Sequence, residues 1–353
     1  MATMGKEQQL HFTNDVSAAL SSIIAAERPN RTFVLADTNT ERLVMPQLAI
    51  DGAQTLVMGA GDTCKTLDSL SSVWTQLGQG GATRHSMLIN VGGGVVTDLG
   101  GFAAATFKRG MRCVNVPTTL LGAVDAAVGG KTGINFGGLK NEIGAFAPAC
   151  HVVISTRFFG SLPEREVKSG FAEMLKHAML SGNEAMDSLL GYDLGAPDTE
   201  RLLQLLRHSV EVKERIVRQD PEEHGLRKAL NLGHTVGHAL ESTALKRGKP
   251  VPHGYAVAWG LVAETVLSHL RLGFPSARLH RLAQMVRDNY GAMPITCDDY
   301  PSLTSMMQHD KKSHNGEINC TLLAACGDIH IDQTIAVEEM NTALDIFRDL
   351  MGL

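Results

Sequence analysis

Hydrophobic residues in the first 160 positions fall into short runs separated by longer stretches with helical spacing. Runs rich in Val, Ile, Leu and Met, with glycine or turn-forming polar residues close behind, predict strands at 32–36, 55–58, 87–91, 113–116 and 152–154. The stretches 62–77 and 95–106 have the length of crossover helices. Apolar strands joined by helices are typical of a parallel sheet covered on both faces. This half is therefore predicted to be an α/β domain.

After Pro163 the apolar spacing changes to every third or fourth residue, which predicts a mainly helical second half. The predicted helices are 164–180, 199–219, 226–246, 255–272, 276–290 and 337–350, with one strand at 318–325. The chain of 353 residues exceeds the roughly 250–300 residues that one core serves. We therefore expect two domains, an α/β domain at 1–161 and a helical domain at 162–353.

The charge balance argues against polyanionic partners. Lys and Arg number 32 against 37 Asp and Glu, so the net charge of −5 provides no field that attracts nucleic acid or an anionic membrane. An anionic ligand then needs a local basic cluster. The sequence contains no apolar run of about 18 residues, and its first residues carry charges where a signal peptide is apolar. The cysteines lack metal-binding spacing, which predicts reduced thiols and a cytoplasmic location.

Three consecutive glycines follow the predicted strand at 87–91. Gly92, Gly93 and Gly94 lead into an Ala-rich helix, so that backbone can approach a phosphate and the helix N-terminus can donate N–H groups to it. The spacing is not the G-x-G-x-x-G fingerprint, and such a turn is often only structural. Polar residues behind the neighbouring strands strengthen the interpretation, and they are Asp37, Asn39, Asp62, Lys65, Thr118 and Thr119. Together they predict a dinucleotide at one rim of the sheet.

A second Gly-rich stretch begins at Asp125. Its Gly-Lys-Thr sequence resembles a phosphate loop, but Asp125 stands where G-x-x-x-x-G-K-[ST] requires glycine, which argues against a nucleotide hydrolase. Lys131, Lys140 and Asn141 then supply two cations and an amide suited to an anionic substrate group. The alternative is a flexible surface loop.

The second half contains one carboxylate and several imidazoles that suit a divalent metal. Glu173 lies among apolar neighbours, His234 and His238 share one helix face, and His253 precedes the next helix. One carboxylate and two imidazoles with an open position describe a catalytic metal site of zinc type. Spacing alone does not decide which two histidines bind, nor does it exclude His177. Taken alone, Lys213 and the run Asp310-Lys311-Lys312 are typical of solvated surface.

These motifs resemble those of the 3-dehydroquinate synthase family, within the sugar phosphate cyclases. The resemblance extends from about residue 37 to residue 312. The matching segments are Gly92-Gly93-Gly94-Val95-Val96 with Asp98, Pro117-Thr118-Thr119-Leu120, Val128-Gly129-Gly130-Lys131-Thr132, Lys140-Asn141, Ala172-Glu173 with Lys176, Leu230-Asn231-Leu232-Gly233-His234-Thr235 with Gly237-His238, and His253-Gly254. They occur in the order of the family.

The resemblance implies a Rossmann-like α/β domain, an all-α C-terminal domain, an active site in the cleft between them and a homodimer. It also implies a phosphorus–oxygen lyase of the shikimate route to aromatic amino acids. Members convert 3-deoxy-D-arabino-heptulosonate 7-phosphate to 3-dehydroquinate and phosphate. The C5 hydroxyl is transiently oxidised by NAD, phosphate is eliminated, the ketone is reduced again, and the ring closes by aldol addition.

The family pattern also implies residue roles. It assigns a Zn²⁺ or Co²⁺ ion to Glu173, His234 and His253, and proton handling at the C5 oxygen to His238. The residues implied to contact or surround the substrate are Asp125, Lys131, Lys140, Asn141, Lys176, Lys213, Arg227, Asn231, Lys311 and a partner subunit's Arg109. The residues implied to bind NAD are Asp37, Asn39, Asp62, Lys65, Gly93, Gly94, Val95, Asp98, Thr118, Thr119, Leu121, Lys131, Lys140, Phe158 and Ser161.

Two positions depart from the family pattern. Tyr255 follows His253-Gly254 where the family usually has Glu, and Asp62 follows Gly61 where Glu is usual. Alternatives to the synthase are another sugar phosphate cyclase, a metal-dependent polyol dehydrogenase that releases NADH, and a catalytically silent binding relative, which only Tyr255 supports.

Overall fold

The computed structural model describes residues 8–309 and 317–353. These residues cluster into two units. The first comprises the described residues up to Pro163 together with Thr199–Val210, and the second comprises Glu164–Asp198 and the described part of Glu211–Leu353. In the first unit the strands are β1 (Gln9–Phe12), β2 (Thr32–Asp37), β3 (Gln54–Met58), β4 (Met87–Gly92), β5 (Arg112–Pro117), β6 (Lys131–Phe136), β7 (Leu139–Phe146) and β8 (His151–Ile154), and the helices are α1 (Val16–Glu27), α2 (Thr38–Leu43), α3 (Leu67–Gln79) and α4 (Gly94–Thr106).

A six-stranded parallel sheet forms the centre of the first unit. Its order is β1-β8-β5-β4-β2-β3, and each neighbouring pair of strands runs parallel. Leu35 of β2 and Leu88 of β4 are fully buried, and they belong to one apolar cluster with Val73 of α3 and Leu99 of α4. The Rossmann-like α/β prediction is confirmed. The strand order reverses between β2 and β4, which places a topological switch point at their carboxyl ends.

The helices that follow in the chain are α5 (Glu164–Ser181), α6 (Asn183–Leu190), α7 (Thr199–Gln219), α8 (His234–Lys246), α9 (His253–Leu272), α10 (Ser276–Tyr290), α11 (Tyr300–Gln308) and α12 (Val337–Met351). Strands β9 (Ile318–Ala325) and β10 (Asp328–Ile335) form an antiparallel pair. In the second unit α9 packs against α5, α8, α10, α12 and β9, and most of its residues are buried. The predicted helical character is confirmed, and so is the predicted strand 318–325, which is β9; its partner β10 was not predicted.

Two predicted helices are wrong in part. The predicted helix 62–77 is a 3₁₀ turn at Asp62–Cys64 followed by α3, because the Thr66 side chain accepts the Ser69 N–H and starts a new helix. The predicted helix 226–246 is a 3₁₀ segment at Leu226–Asn231 followed by α8. Gly233 separates these two at a φ of 79°, a left-handed conformation that interrupts the helix.

The first part of α7 clusters with the first unit, although the sequence assigns it to the second domain. Thr156 donates a hydrogen bond from Oγ1 to the Thr199 carbonyl at 3.2 Å. The Arg207 guanidinium lies 4.6 Å from the centre of the Phe12 ring. These contacts hold Thr199–Val210 against β1 and against the segment that follows β8. No helix in residues 8–309 and 317–353 is long and apolar enough to cross a membrane.

Two histidines lie side by side on adjacent strands of the first unit. His11 of β1 lies 3.1 Å from His151 of β8, between Nε2 and Nδ1. Burial, and then the nearby His151, lowers the pKa of His11. Below its ordinary value of about 6.5, the unfolded chain therefore takes up this proton more readily than the folded chain. The stabilisation present above that pH is lost as the pH falls towards the folded-state pKa.

We expect His11→Gln to reduce the pH dependence of stability. The urea midpoint should fall less between about pH 7 and pH 5 in the variant than in the wild type. Exposed His85, replaced in the same way, is the control and should keep the wild-type dependence. An unchanged dependence in His11→Gln would contradict the assignment.

Candidate active site

The carboxyl ends of β2 and β4 meet at the switch point of the sheet. Asp37 ends β2, and its carboxylate accepts N–H groups from Asn39 at 2.9 Å and Thr40 at 2.8 Å. Adjacent β4 ends at Gly92, and α4 begins two residues later at Gly94. An acidic group behind one strand and a helix N-terminus behind the next are what a dinucleotide uses for its ribose and its phosphates.

The turn between β4 and α4 has little room for side chains. A Cβ added to Gly93 would lie 3.0 Å from Cγ2 of Thr119, and one added to Gly94 would lie 3.2 Å from Cβ of Ala126. Gly93, the N-cap residue of α4, provides no side-chain cap. The first turn of α4 thus presents backbone N–H groups beside Thr119, which fits a diphosphate group.

Lys65 contacts two other predicted residues, Asp98 and Asn141. Only 4% of Lys65 is exposed, and its ammonium donates to Asp98 Oδ2 at 2.5 Å and to the Asn141 side-chain oxygen. Asn141 lies on β7, the second strand of an antiparallel hairpin with β6. Lys131 and Lys140 are exposed on the same hairpin, and Lys140 is 3.8 Å from Asp62. The two predicted sets, one for cofactor and one for substrate, therefore adjoin at Lys65.

The other residues predicted for this side lie in the loops behind the strands. Asp125 is in the turn after β5, and Arg109 is exposed with a φ of 64° in the turn after α4. Ser161 donates to the Phe158 carbonyl at 2.9 Å in the segment after β8. Thr118 donates its N–H to Gly92 O at 3.0 Å. Val95 lies in the first turn of α4, and Leu121 lies just before the Asp125 turn.

In the second unit, three helices bring one carboxylate and two imidazoles together. Glu173 is on α5, His234 is the first residue of α8, and His253 is the first residue of α9. Glu173 Oε1 is 3.4 Å from His234 Nε2 and 3.5 Å from His253 Nε2. One ligand atom from each of the three residues lies within 4.8 Å of the others.

These separations fit a divalent metal. Ligands at about 2.0–2.1 Å from a tetrahedral zinc ion are about 3.3–3.4 Å apart. Glu173 Oε1 is buried and has no hydrogen-bond partner, although two imidazole nitrogens face it. A shared cation would satisfy all three atoms. The imidazoles are oriented by their other nitrogens, since His234 Nδ1 is 3.1 Å from Leu232 O and His253 Nδ1 is 3.0 Å from Glu241 Oε2.

The charge states also suit a metal. Burial opposes ionisation of Glu173, but Lys176 and the two histidines outweigh it and hold the pKa of the carboxyl well below its usual range. Lys176 is buried and donates to Glu173 Oε2, which leaves Oε1 towards the imidazoles. Burial lowers the pKa of His253, yet the nearby carboxylates of Glu173 and Glu241 raise it to about 9. Metal binding at neutral pH would therefore displace a proton from His253.

Glycines let the three helices approach closely enough to bring the ligands together. A Cβ on Gly254 would lie 1.9 Å from Ser169 O on α5, and one on Gly260 would lie 1.9 Å from Gly233 O just before α8. Gly254 follows the ligand His253, and Gly233 precedes the ligand His234. The ligand positions therefore depend on backbone contacts that only glycine permits.

Among the other residues predicted for the second unit, His238 lies beside this triad. The His238 ring centre is 5.4 Å from that of His234 and 5.9 Å from that of His253. Arg227 is buried, and its backbone N–H donates to Asp220 Oδ2 at 2.9 Å. Lys213 is also buried, so its surface interpretation from sequence alone is wrong. The methylene groups of a lysine side chain can pack among apolar residues, so a lysine can lie inside the unit. Lys311 lies outside the described residues.

Comparison with known proteins shows the family of the chain. Residues 55–169 match the 3-dehydroquinate synthase N-terminal family, and residues 170–313 match the 3-dehydroquinate synthase C-terminal family. The 3-dehydroquinate synthase of Parabacteroides distasonis is 45% identical over 98% of this chain and 99% of the relative. The chain belongs to the 3-dehydroquinate synthase family. The resemblance found in the sequence is thereby confirmed.

Two solved structures share the fold. The 2-epi-5-epi-valiolone synthase of Streptomyces hygroscopicus subsp. jinggangensis, solved with NAD⁺ and Zn²⁺ bound, has a TM-score of 0.81 and 26% identity, with 97% of each chain covered. A 2-deoxy-scyllo-inosose synthase, solved with carbaglucose-6-phosphate, NAD⁺ and Co²⁺, also has a TM-score of 0.81, with 22% identity and 96% of each chain covered.

The two residues that depart from the family pattern are Tyr255 and Asp62. Tyr255 packs edge-on against Tyr290, with ring centres 5.1 Å apart, and against Trp259 at 6.3 Å. It therefore joins α9 to α10 by aromatic contacts. Asp62 is exposed and lies near Lys140.

Sequence reasoning missed three carboxylates. Glu241 accepts a hydrogen bond from His253, and its spacing of seven residues from His234 along α8 could have revealed it. Glu264 is a single carboxylate in an apolar run of α9. Glu223 accepts a hydrogen bond from Asn231 Nδ2 at 3.0 Å, which orients that amide, and no spacing signal marks it.

We expect Glu241→Ala to weaken metal binding without removing a ligand. Loss of an outer carboxylate that orients a ligating histidine typically lowers metal affinity by about 10–100-fold. Competition with a chromogenic chelator measures this affinity. Ser242→Ala, at the exposed neighbouring position of α8, is the control and should bind as the wild type does. Wild-type affinity in Glu241→Ala would show that the contact between Glu241 and His253 does not contribute to metal binding.

Proposed function

We propose that this chain converts 3-deoxy-D-arabino-heptulosonate 7-phosphate to 3-dehydroquinate and phosphate, using NAD and one Zn²⁺ or Co²⁺ ion. The observation that carries the proposal is the Glu173–His234–His253 triad in a chain of this family. The Gly93–Gly94 turn beside Asp37 and Lys65 supports the NAD part, since a diphosphate fits the open first turn of α4. The family makes the chain an enzyme of the lyase and cyclase kind.

When bound, NAD supplies a hydride acceptor that is regenerated in each turnover, and the metal supplies a positive charge that favours ionised hydroxyl oxygens. Because the same carbon would be oxidised and later reduced, the overall reaction would have no net redox change. His238 lies beside His234 and His253, the two histidine ligands, and is proposed to handle the proton of the C5 hydroxyl. Its side chain is partly exposed, which permits exchange of that proton with solvent.

The anionic ends of the substrate require cations. The residues proposed to bind its phosphate and carboxylate are Lys131, Asn141, Lys213, Arg227, Asn231 and Lys311, with Asp125, Lys140 and Lys176 among the polar groups around nicotinamide and substrate. Asp220 holds the Arg227 backbone, and Arg227 also donates to the Pro221 carbonyl, so its guanidinium is fixed before substrate arrives. Each charged hydrogen bond to a carboxylate is worth about 1.5–3 kcal/mol. That difference selects against sugar phosphates that lack the acid group.

Phosphate release and NADH absorbance, measured together, test the proposal. Purified protein with NAD, a divalent metal and the heptulosonate phosphate should release phosphate while NADH stays at or below the enzyme concentration. A polyol dehydrogenase would accumulate NADH instead, and a silent relative would release no phosphate. Either result contradicts the proposal.

We also propose a homodimer in which Arg109 of one subunit completes the phosphate site of the other. Its exposure in the turn after α4 is compatible with this role. A cytoplasmic location stays a prediction from the sequence.

Mixing two inactive variants tests the exchange of Arg109. Arg109→Ala and Glu173→Ala should each be inactive alone, but after mixing and reassembly a mixed dimer has one complete site, formed by Glu173 of one subunit and Arg109 of the other. Random pairing should restore about a quarter of wild-type activity. Absence of recovery, with mixed dimers shown to form, would contradict donation between subunits.

A further inference from the structure

Glu264 is a buried carboxylate on α9 that none of the roles above explains. Its side chain has no exposed surface, and it lies in a helix whose neighbouring positions are apolar. It accepts the Gly233 N–H at 2.6 Å and the Val236 N–H at 3.1 Å. A buried carboxylate is costly unless hydrogen bonds of this kind compensate for lost water.

The two N–H donors belong to the start of α8. The first N–H groups of a helix have no partner within it, and Gly233, the N-cap residue, has no side chain to accept them. Glu264 therefore caps α8 from a different helix. Its negative charge also interacts favourably with the positive end of the α8 dipole.

This cap fixes α8 along α9 at the metal site. His234 is the first residue of α8 and His253 the first of α9, so the position of the α8 start decides how far the two imidazoles are apart. Glu264 follows His253 by eleven residues, about three helical turns, and so lies on the same face of α9. A second link, from Glu241 of α8 to His253, lies on that face too.

We infer that Glu264 is a positioning residue that sets the separation of His234 and His253 by capping α8. The inference rests on the proposed function to the extent that the triad binds a divalent metal. In Glu264→Gln, one of the two acceptor oxygens becomes an NH₂ group that faces a backbone N–H. In Glu264→Ala, both acceptors are lost. The start of α8 should then shift, although all three ligands remain.

Titration of metal-free protein with Co²⁺ tests the inference, because the absorption of the ion reports both affinity and ligand geometry. We expect Glu264→Gln to bind Co²⁺ at least about tenfold more weakly than the wild type and with an altered spectrum. Glu264→Ala should be weaker still. Glu264→Gln has nearly the shape of the native side chain, so it keeps the test available if Glu264→Ala does not fold.

Leu267→Ala is the matched control for stability. Leu267 lies on α9, is buried, and makes its contribution through packing. Its variant should melt at a lower temperature and bind Co²⁺ with wild-type affinity and spectrum. If the Glu264 variants behave in that way, their role is only structural and the inference fails. If the wild type does not bind Co²⁺, or if Glu173→Gln does not abolish that binding, the proposed function fails, and the inference fails with it.

Discussion

Replacing Glu173 by glutamine is expected to remove metal binding and to lower turnover by about a thousandfold, since a catalytic metal is worth several kcal/mol of transition-state stabilisation. Glu173 supplies the only carboxylate of the described triad, and its Oε1 faces both imidazoles. Glutamine keeps the shape but presents a neutral amide. Lys176 would also lose its ionic partner at Oε2.

Metal content after dialysis, measured together with phosphate release, checks this prediction. Glu166→Gln, on the same helix but partly exposed, is the control and should retain metal and activity. A Glu173→Gln protein that keeps one equivalent of metal would show that another residue completes the site.

Replacing Gly260 by alanine is expected to disrupt the site without changing any polar group. The new Cβ would lie 1.9 Å from Gly233 O and 2.8 Å from the Gly237 N, both backbone atoms that cannot rotate away. Helix α8 would have to move away from α9, and His234 would move with it. Such overpacking typically costs about 1–3 kcal/mol or more in the free energy of unfolding, and we expect metal affinity to fall as well.

Gly78→Ala provides the matched control, since a Cβ at this helical position meets nothing within 4 Å. It should stabilise the protein slightly, because alanine favours a helix over glycine by about 1 kcal/mol. Urea unfolding and Co²⁺ titration compare the two variants. Gly260→Ala with wild-type stability and metal affinity would mean that the helices tolerate a wider separation.

The regular elements could be predicted from sequence because burial marks them. Apolar runs on strands buried on both faces identify β2, β4 and β5 without reference to distant residues. The hairpin β6–β7 was missed, since most of its residues are exposed and its glycines lower the strand signal. The break at Gly233 was missed because apolar periodicity continues through the 3₁₀ segment into α8.

The site was predictable as a set of residue types, but not as a geometry. Histidine density and the isolated carboxylate Glu173 indicated a metal, while spacing alone left open which histidines bind it. That choice depends on where α9 places His253, which is a contact between helices distant in sequence. The buried position of Lys213 and the cap that Glu264 gives α8 are likewise set by tertiary packing.

Product stoichiometry tests the central claim most directly. Proton NMR of the complete reaction, with NAD, metal and the heptulosonate phosphate, should show one 3-dehydroquinate formed for each phosphate released, and none when NAD or the metal is omitted. Phosphate released without 3-dehydroquinate, or with another carbocycle in its place, would contradict the account.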